Sequence, residues 1–161
     1  MAGQYFSKSR NIELSTLGYM ETQLNASWTG ITTVKTFKDA YDTNIPVPVV
    51  CIRLDSTNNA RLELGAVTLD NRYLIIIDVF SRSDAQRVDL ADFIVNQLKD
   101  GWDYNTYTRT SGSSTGGITG TATGKIFVTS WISDLKVSFG EEADPKDRYR
   151  HTIAVLVRKS R

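Results

Sequence analysis

Arg72 to Gly101, RYLIIIDVFSRSDAQRVDLADFIVNQLKDG, constrains the fold more than any other stretch of the chain. Tyr73 to Phe80 is almost wholly β-branched, aromatic or apolar, the composition of a strand covered on both faces. Ser81 to Ser83 interrupt the run, and Ser83-Asp84-Ala85-Gln86 then has the S-x-x-Q form of a capping box. In that device the serine hydroxyl accepts from the Gln86 N–H while the glutamine side chain reaches back. Val88, Ala91, Ile94, Val95 and Leu98 fall on one helical face, with Asp89, Asn96 and Lys99 off it. Gly101 supplies the permissive backbone that helix ends favour. The stretch is a fold nucleus and carries no catalytic motif.

On its N-terminal side, residues 1–10 are polar and are expected to form a flexible arm. Leu14, Leu17, Met20 or Glu21, Leu24 and Trp28 trace a helical stripe over Asn11–Trp28, flanked by Ile12 and Tyr19, although Gly18 inside it costs about 1 kcal/mol against alanine. Ile31 to Tyr41 reads as a short strand and a turn near Lys38-Asp39-Ala40. Ile45 to Leu54, IPVPVVCIRL, is a second strong strand; its prolines cannot donate to a ladder and belong at its start or on an edge. Asp55 to Ala60 reads as a turn, Arg61 to Leu64 as a further alternating segment, and Asp70-Asn71 as the turn into the Tyr73–Phe80 strand.

On the C-terminal side, WDYNTYT leads into residues 111–124, where only Ile118 and Ala122 depart from Gly, Ser and Thr. So little apolar surface cannot offset the entropy of ordering, and a flexible loop is expected there. Lys125 to Phe139 resumes as a strand with a bend near Ser133-Asp134. Gly140 to Arg150 is a charged turn, and His151 to Arg158 a final strand. Residues 1–161 thus form a single domain of α+β class, a mixed or antiparallel β-sheet with two main helices packed on one face.

Several classes of chemistry are excluded by what the chain lacks. One cysteine, Cys51, allows no internal disulfide, and with one histidine, His151, it cannot build the usual Cys/His zinc site. A net charge of +1 gives no overall drive towards nucleic acid or anionic membranes. The longest apolar run, Ile45 to Ile52, is far short of the roughly 20 residues a membrane-spanning helix needs. MAGQYFSKSRNIE shows no apolar signal region, so an intracellular origin is expected. No catalytic residue, cofactor or metal is assigned.

Gly112-Ser113-Ser114-Thr115-Gly116 matches the letters of G-x-S-x-G, but that elbow needs a strand leading in and a helix leading out. Gly120 to Lys125 falls one residue short of a phosphate loop and has Ile126 where Ser or Thr is required. Asp84, Asp89, Asp92, Asp100 and Asp103 read as a solvated acidic face. Lys8, Arg10, Arg158, Lys159 and Arg161 make both ends basic, which suits a phosphate backbone or an acidic partner. Trp102, Tyr104 and Tyr107, with Arg109, Ile118 and Lys125 around the loop, are the candidates for a partner interface, where aromatic residues and arginine are enriched.

Taken together, the helix Asn11–Trp28, the strand IPVPVVCIRL, the run RYLIIIDVFSRS, the helix DAQRVDLADFIVNQL and the closing HTIAVLVRKSR resemble the tail-terminator family of long-tailed bacteriophages. The resemblance spans residues 11–101 and 150–161. The loop at 111–124 and the strand at 125–139 depart from the pattern, and a related head–tail joining, neck or tail-completion protein stays open beside the terminator. The resemblance implies a non-enzymatic virion protein, assembled in the host cytoplasm. It would form a homo-oligomeric ring, usually hexameric, that caps the tail tube protein, stops its polymerisation and meets the head–tail connector. DNA would pass the lumen without specific binding. A small hydrolase using Ser114 or a carboxylate pair, or a nucleic-acid-binding adaptor using the basic ends, are the alternatives from other classes.

Overall fold

The computed structural model describes residues 4–61, 64–65, 68–109, 117–137, 139 and 144–160. In chain order these form β1 (Gln4–Tyr5), α1 (Lys8–Ser27), β2 (Thr32–Val34), α2 (Phe37–Ala40), β3 (Val49–Arg61), β4 (Leu69–Phe80), α3 (Asp84–Leu98), β5 (Trp102–Arg109), β6 (Ile118–Val137), a 3-10 turn (Asp147–Tyr149) and β7 (Arg150–Lys159). One mixed sheet contains all the strands, the two-residue β1 included, in the order β1-β5-β6-β7-β4-β3-β2. β2 and β3 run parallel, and every other neighbouring pair is antiparallel. The α+β class is therefore observed, with α1 and α3 side by side on one sheet face.

The capping box forms at the head of α3: the Gln86 N–H donates to Ser83 Oγ at 3.2 Å. The Gln86 side chain reaches one residue further back than the motif demands and accepts from the Arg82 N–H at 2.9 Å. The buried stripe of α3 is Arg87, Leu90, Ala91, Ile94 and Leu98, while Val88 and Val95 are half-buried. Leu90, Ala91, Ile94 and Leu98 pack with Ile12, Met20 and Leu24 of α1 over Tyr73, Ile75, Ile77 and Val79 of β4 and their neighbours on β3 and β7. Gly101 ends this unit at φ 78°, and a Cβ there would lie 2.6 Å from the Ile126 carbonyl oxygen, so both backbone and space require glycine.

α1 starts earlier than its apolar pattern, at Lys8, and buries Asn11, Ser15 and Thr16 along with Ile12, Met20 and Leu24, whereas Leu14 and Leu17 of the expected stripe are only half-buried. Those polar groups are tied to β5. Asn11 Nδ2 donates to Tyr104 Oη at 3.2 Å, Asn11 Oδ1 accepts from the Tyr107 N–H at 3.2 Å, and Ser15 Oγ accepts from the Asn105 N–H at 2.9 Å. The expected arm at residues 1–10 is corrected accordingly. Gln4–Tyr5 pair with Thr108 and Arg109, and Ser7 caps α1 by accepting from the Arg10 N–H, so residues 4–10 belong to the fold; residues 1–3 lie outside the described residues.

Two expected turns are strand. Asp55 to Ala60 continue β3, and Asp70-Asn71 pair with Ala60 and Asn59 in the same hairpin. Polar composition misled here because these residues lie towards the tip of the hairpin, where solvent accepts polar side chains on strand backbone. The expected loop at 111–124 is corrected in part: Ile118 to Gly124 form the start of β6 and pair with Arg109 to Tyr104, whereas residues 110–116 lie outside the described residues. A backbone ladder to β5 supplies what the side chains of this segment lack.

β4 is covered on both faces only at its C-terminal half. On the face away from α1 and α3, a second cluster of Ala40, Val49, Cys51 and Phe80 sits beneath α2, with Phe37 and Tyr41 packed on it. Burial pushes the Cys51 thiol up to about 11. Cys51 should therefore resist a thiol reagent at neutral pH in the folded protein and label rapidly in denaturant, because the thiolate is the reactive form. Native labelling as fast as that of a free thiol would show that the α2 side opens readily.

Tyr41 anchors the same layer. Burial first, and then its hydrogen bond to Asp147, pushes the hydroxyl up to about 12 from 10.0. Because the folded value lies above the unfolded one, the contribution is fully present below about pH 10 and is lost as pH rises through about 12. Tyr41→Phe should flatten that part of the alkaline stability profile, read from urea midpoints.

Candidate interaction surface

β5 and β6 form a long hairpin, and only part of it lies where partner contacts were expected. Trp102 is buried, its ring stacked on Tyr19 at 5.9 Å and its indole N–H donating to Thr16 Oγ1 at 3.2 Å. Tyr104 is buried as well, with its hydroxyl bonded to Asn11 and Lys159 Nζ 4.7 Å above its ring. Both belong to the monomer core, so they are withdrawn as surface contacts. Their interface-like composition reflects attachment of α1 to β5. Tyr107 is half-buried, and Arg109 and Ile118 are exposed opposite one another. Lys125 is exposed and ion-paired to Asp103 at 2.6 Å.

β6 changes neighbours along its length. Ile118 to Ile126 pair with β5, and Ile126 to Val137 pair with β7. Beyond Ile126, β6 therefore has one edge without a strand partner among the described residues. Such an edge presents free backbone donors and acceptors to an incoming chain. Register shifts at Val128/Ser130 and Trp131/Ser133 bend it further.

The same strand collects exposed apolar side chains. Ile118, Phe127, Trp131, Ile132, Leu135 and nearby Phe139 are each between 44% and 55% exposed. Phe127 lies opposite Arg158 and Leu135 opposite Thr152, on the face away from α1 and α3. Leu74, Ile76 and Leu156 extend that face as half-buried residues, and Ala154 lies between them. The composition reading placed a strand here but no surface. The spacing of four between Phe127, Trp131 and Leu135 would put them on one face of a regular strand, but the register shifts turn Trp131 to the face opposite that of Phe127 and Leu135.

The remaining candidates do not converge. Ser114 lies outside the described residues. His151 is buried, with Nε2 bonded to Asp134 and Nδ1 unpartnered. Asp84 bonds Arg87 and Lys136, and these contacts, Arg87 first, hold its carboxyl below the usual range. Asp89, Asp92 and Asp100 are exposed, as a solvated helix face requires. Among the described residues no group of His, Cys, Asp and Glu could hold a metal ion, and no helix is long and apolar enough to cross a membrane.

No protein-family model matches the chain, and no curated protein matches it either.

Proposed function

We propose that this chain is a structural assembly protein of a long-tailed bacteriophage, a tail terminator whose subunits close into a ring on the end of the tail tube. The observation that carries the proposal is the exposed apolar band on β6 beside an open strand edge and an uncovered sheet face. Exposed apolar side chains beside an unpaired strand edge suit association with another chain. A head-to-tail contact whose rotation closes produces a ring instead of a filament. The resemblance of the strand–turn–helix unit and its flanks to the terminator family supplies the identity of the assembly. α1 and α3 would act as the rigid layer that holds the sheet in shape, and the β5–β6 hairpin would project towards the tube or the connector.

The test is light scattering coupled to size-exclusion chromatography, followed by electron microscopy of the protein mixed with tail tubes. Rings in solution or at tube ends, with tube growth halted, are the expected result. A persistent monomer that neither forms rings nor binds tubes would overturn the proposal. Rings that bind isolated connectors but leave tubes free would move the protein to the neck.

A further inference from the structure

The open margins of the sheet are protected unequally. β2 is only three residues long, and a very short edge strand offers little to pair with. Beyond Cys51 the outer edge of β3 bears Arg53, Asp55, Asn58, Asn59 and Arg61, and its Leu54 N–H already donates to Glu13 of α1 at 3.1 Å. β6 beyond Ile126 carries neither defence: Phe127 to Leu135 contain one charged residue, Asp134, and no proline. Phe127, Trp131, Ile132 and Leu135 stand there between 44% and 54% exposed.

These side chains are divided between the two faces of the sheet. Phe127 and Leu135 lie opposite Arg158 and Thr152, on the face away from the helices, whereas Trp131 lies opposite the core residue Val155, on the helix side. A partner lying on one face would leave the other set in water. A strand added at the edge extends both faces at once, gives each set a cross-strand neighbour and takes up the free backbone donors and acceptors. The strand that suits such an edge brings apolar side chains to both of its own faces, and β6 is itself such a strand.

The segment is also symmetric about Trp131, with Phe127 four residues before it and Leu135 four residues after. A twofold axis through Trp131, perpendicular to the sheet, sets two copies of β6 antiparallel with helix side beside helix side. Phe127 of each copy then faces Leu135 of the other on the outer face, and Val128 faces Asp134 on the helix side. No like charges are opposed. The four exposed apolar side chains of the two copies together present on the order of 700 Å². That is about the apolar share of an interface at the lower end of the standard size.

We propose that, in the free protein, the open edge of β6 is closed by β6 of a second copy, in an antiparallel twofold pair centred on Trp131. The pairing does not rest on the ring reading; a ring that uses this edge would have to displace it.

Interfaces of this class have micromolar or tighter affinities, so light scattering coupled to size-exclusion chromatography at about 100 μM should return twice the chain mass. Phe127→Lys and Leu135→Glu should each raise the dissociation constant by about tenfold or more. In the double variant Phe127→Lys/Leu135→Glu, each introduced lysine faces an introduced glutamate across the axis. Its dissociation constant should fall about threefold or more below that of either single variant. Melting curves check that all three variants are folded. Trp131→Cys gives a second measurement that needs no charged substitution. The two introduced thiols meet at the axis and should yield a covalent dimer on mild oxidation, while the native Cys51 is buried. A monomeric mass, rings in solution, a double variant no tighter than the single ones, or a folded cysteine variant that stays uncrosslinked would overturn the pairing.

Discussion

Asp78→Ala is expected to destabilise the fold by about 3–5 kcal/mol, the range for removing one partner of a buried ion pair. Asp78 lies at the centre of the sheet with no exposed surface. Its Oδ1 accepts from Arg150 Nε at 3.2 Å, from an Arg150 terminal nitrogen at 2.9 Å and from Thr152 Oγ1 at 2.7 Å. Arg53 approaches the other oxygen at 3.8 Å. Alanine would leave both arginines without this counter-charge while they remain packed over Phe37 at 4.5 and 5.2 Å. The layer formed by α2, Tyr41 and the 3-10 turn depends on this network, so loss of the carboxylate should loosen it together with the sheet. Urea denaturation checks the expectation, provided the slope m is unchanged. A loss under about 1 kcal/mol would mean that water reaches Arg150 and replaces the carboxylate.

If the chain closes into the proposed ring, Leu135→Glu is expected to abolish that assembly while leaving the monomer folded. Leu135 is half exposed on the sheet face away from α1 and α3, where a substitution costs the monomer no more than about 0.5 kcal/mol. Within a subunit contact the same carboxylate would be desolvated without a partner, at a cost of about 2 kcal/mol or more per interface. A closed ring repeats that cost at every contact, so assembly should fail outright. An unchanged melting curve combined with a monomeric mass by light scattering is the expected pair of results. Rings assembled by the glutamate variant would show that this part of β6 lies outside the contact.

The β4–α3 unit was legible in the sequence because its signals are local. A serine cap, a glutamine three residues on and an apolar period of about 3.6 act over a few residues, and Gln86 and Ser83 meet as their spacing requires. The stripe on α1 was legible only in part, because Asn11, Ser15 and Thr16 are polar and yet buried against β5. Their burial depends on partners far along the chain, such as Trp102 and Tyr104. Composition likewise read Ile118 to Gly124 as loop, since nothing local favours a strand there. Gly120 is small because the Tyr107 ring crosses it: a Cβ would lie 2.7 Å from Tyr107 Cε1. That glycine is a packing choice visible only once the two strands are paired.

The candidate surface divides in the same way. Arg109, Ile118 and Lys125 were found from their place beside the Gly/Ser/Thr segment, and all three are exposed on the hairpin. Phe127, Trp131 and Leu135 were not found, because a strand of period two assigns alternate residues to opposite faces only while the register is continuous. The shifts at Val128/Ser130 and Trp131/Ser133 reset that assignment: Trp131 lies opposite the core residue Val155, whereas Leu135 lies opposite Thr152 on the other face. Sequence alone therefore determined the two long helices, the Ser83 cap and the apolar strands, all of which are set by neighbours within a few residues. The tertiary structure decided which face of each strand is covered, which aromatic residues are core and where the sheet is left open. Those outcomes follow from pairing between distant segments, and no local period encodes them.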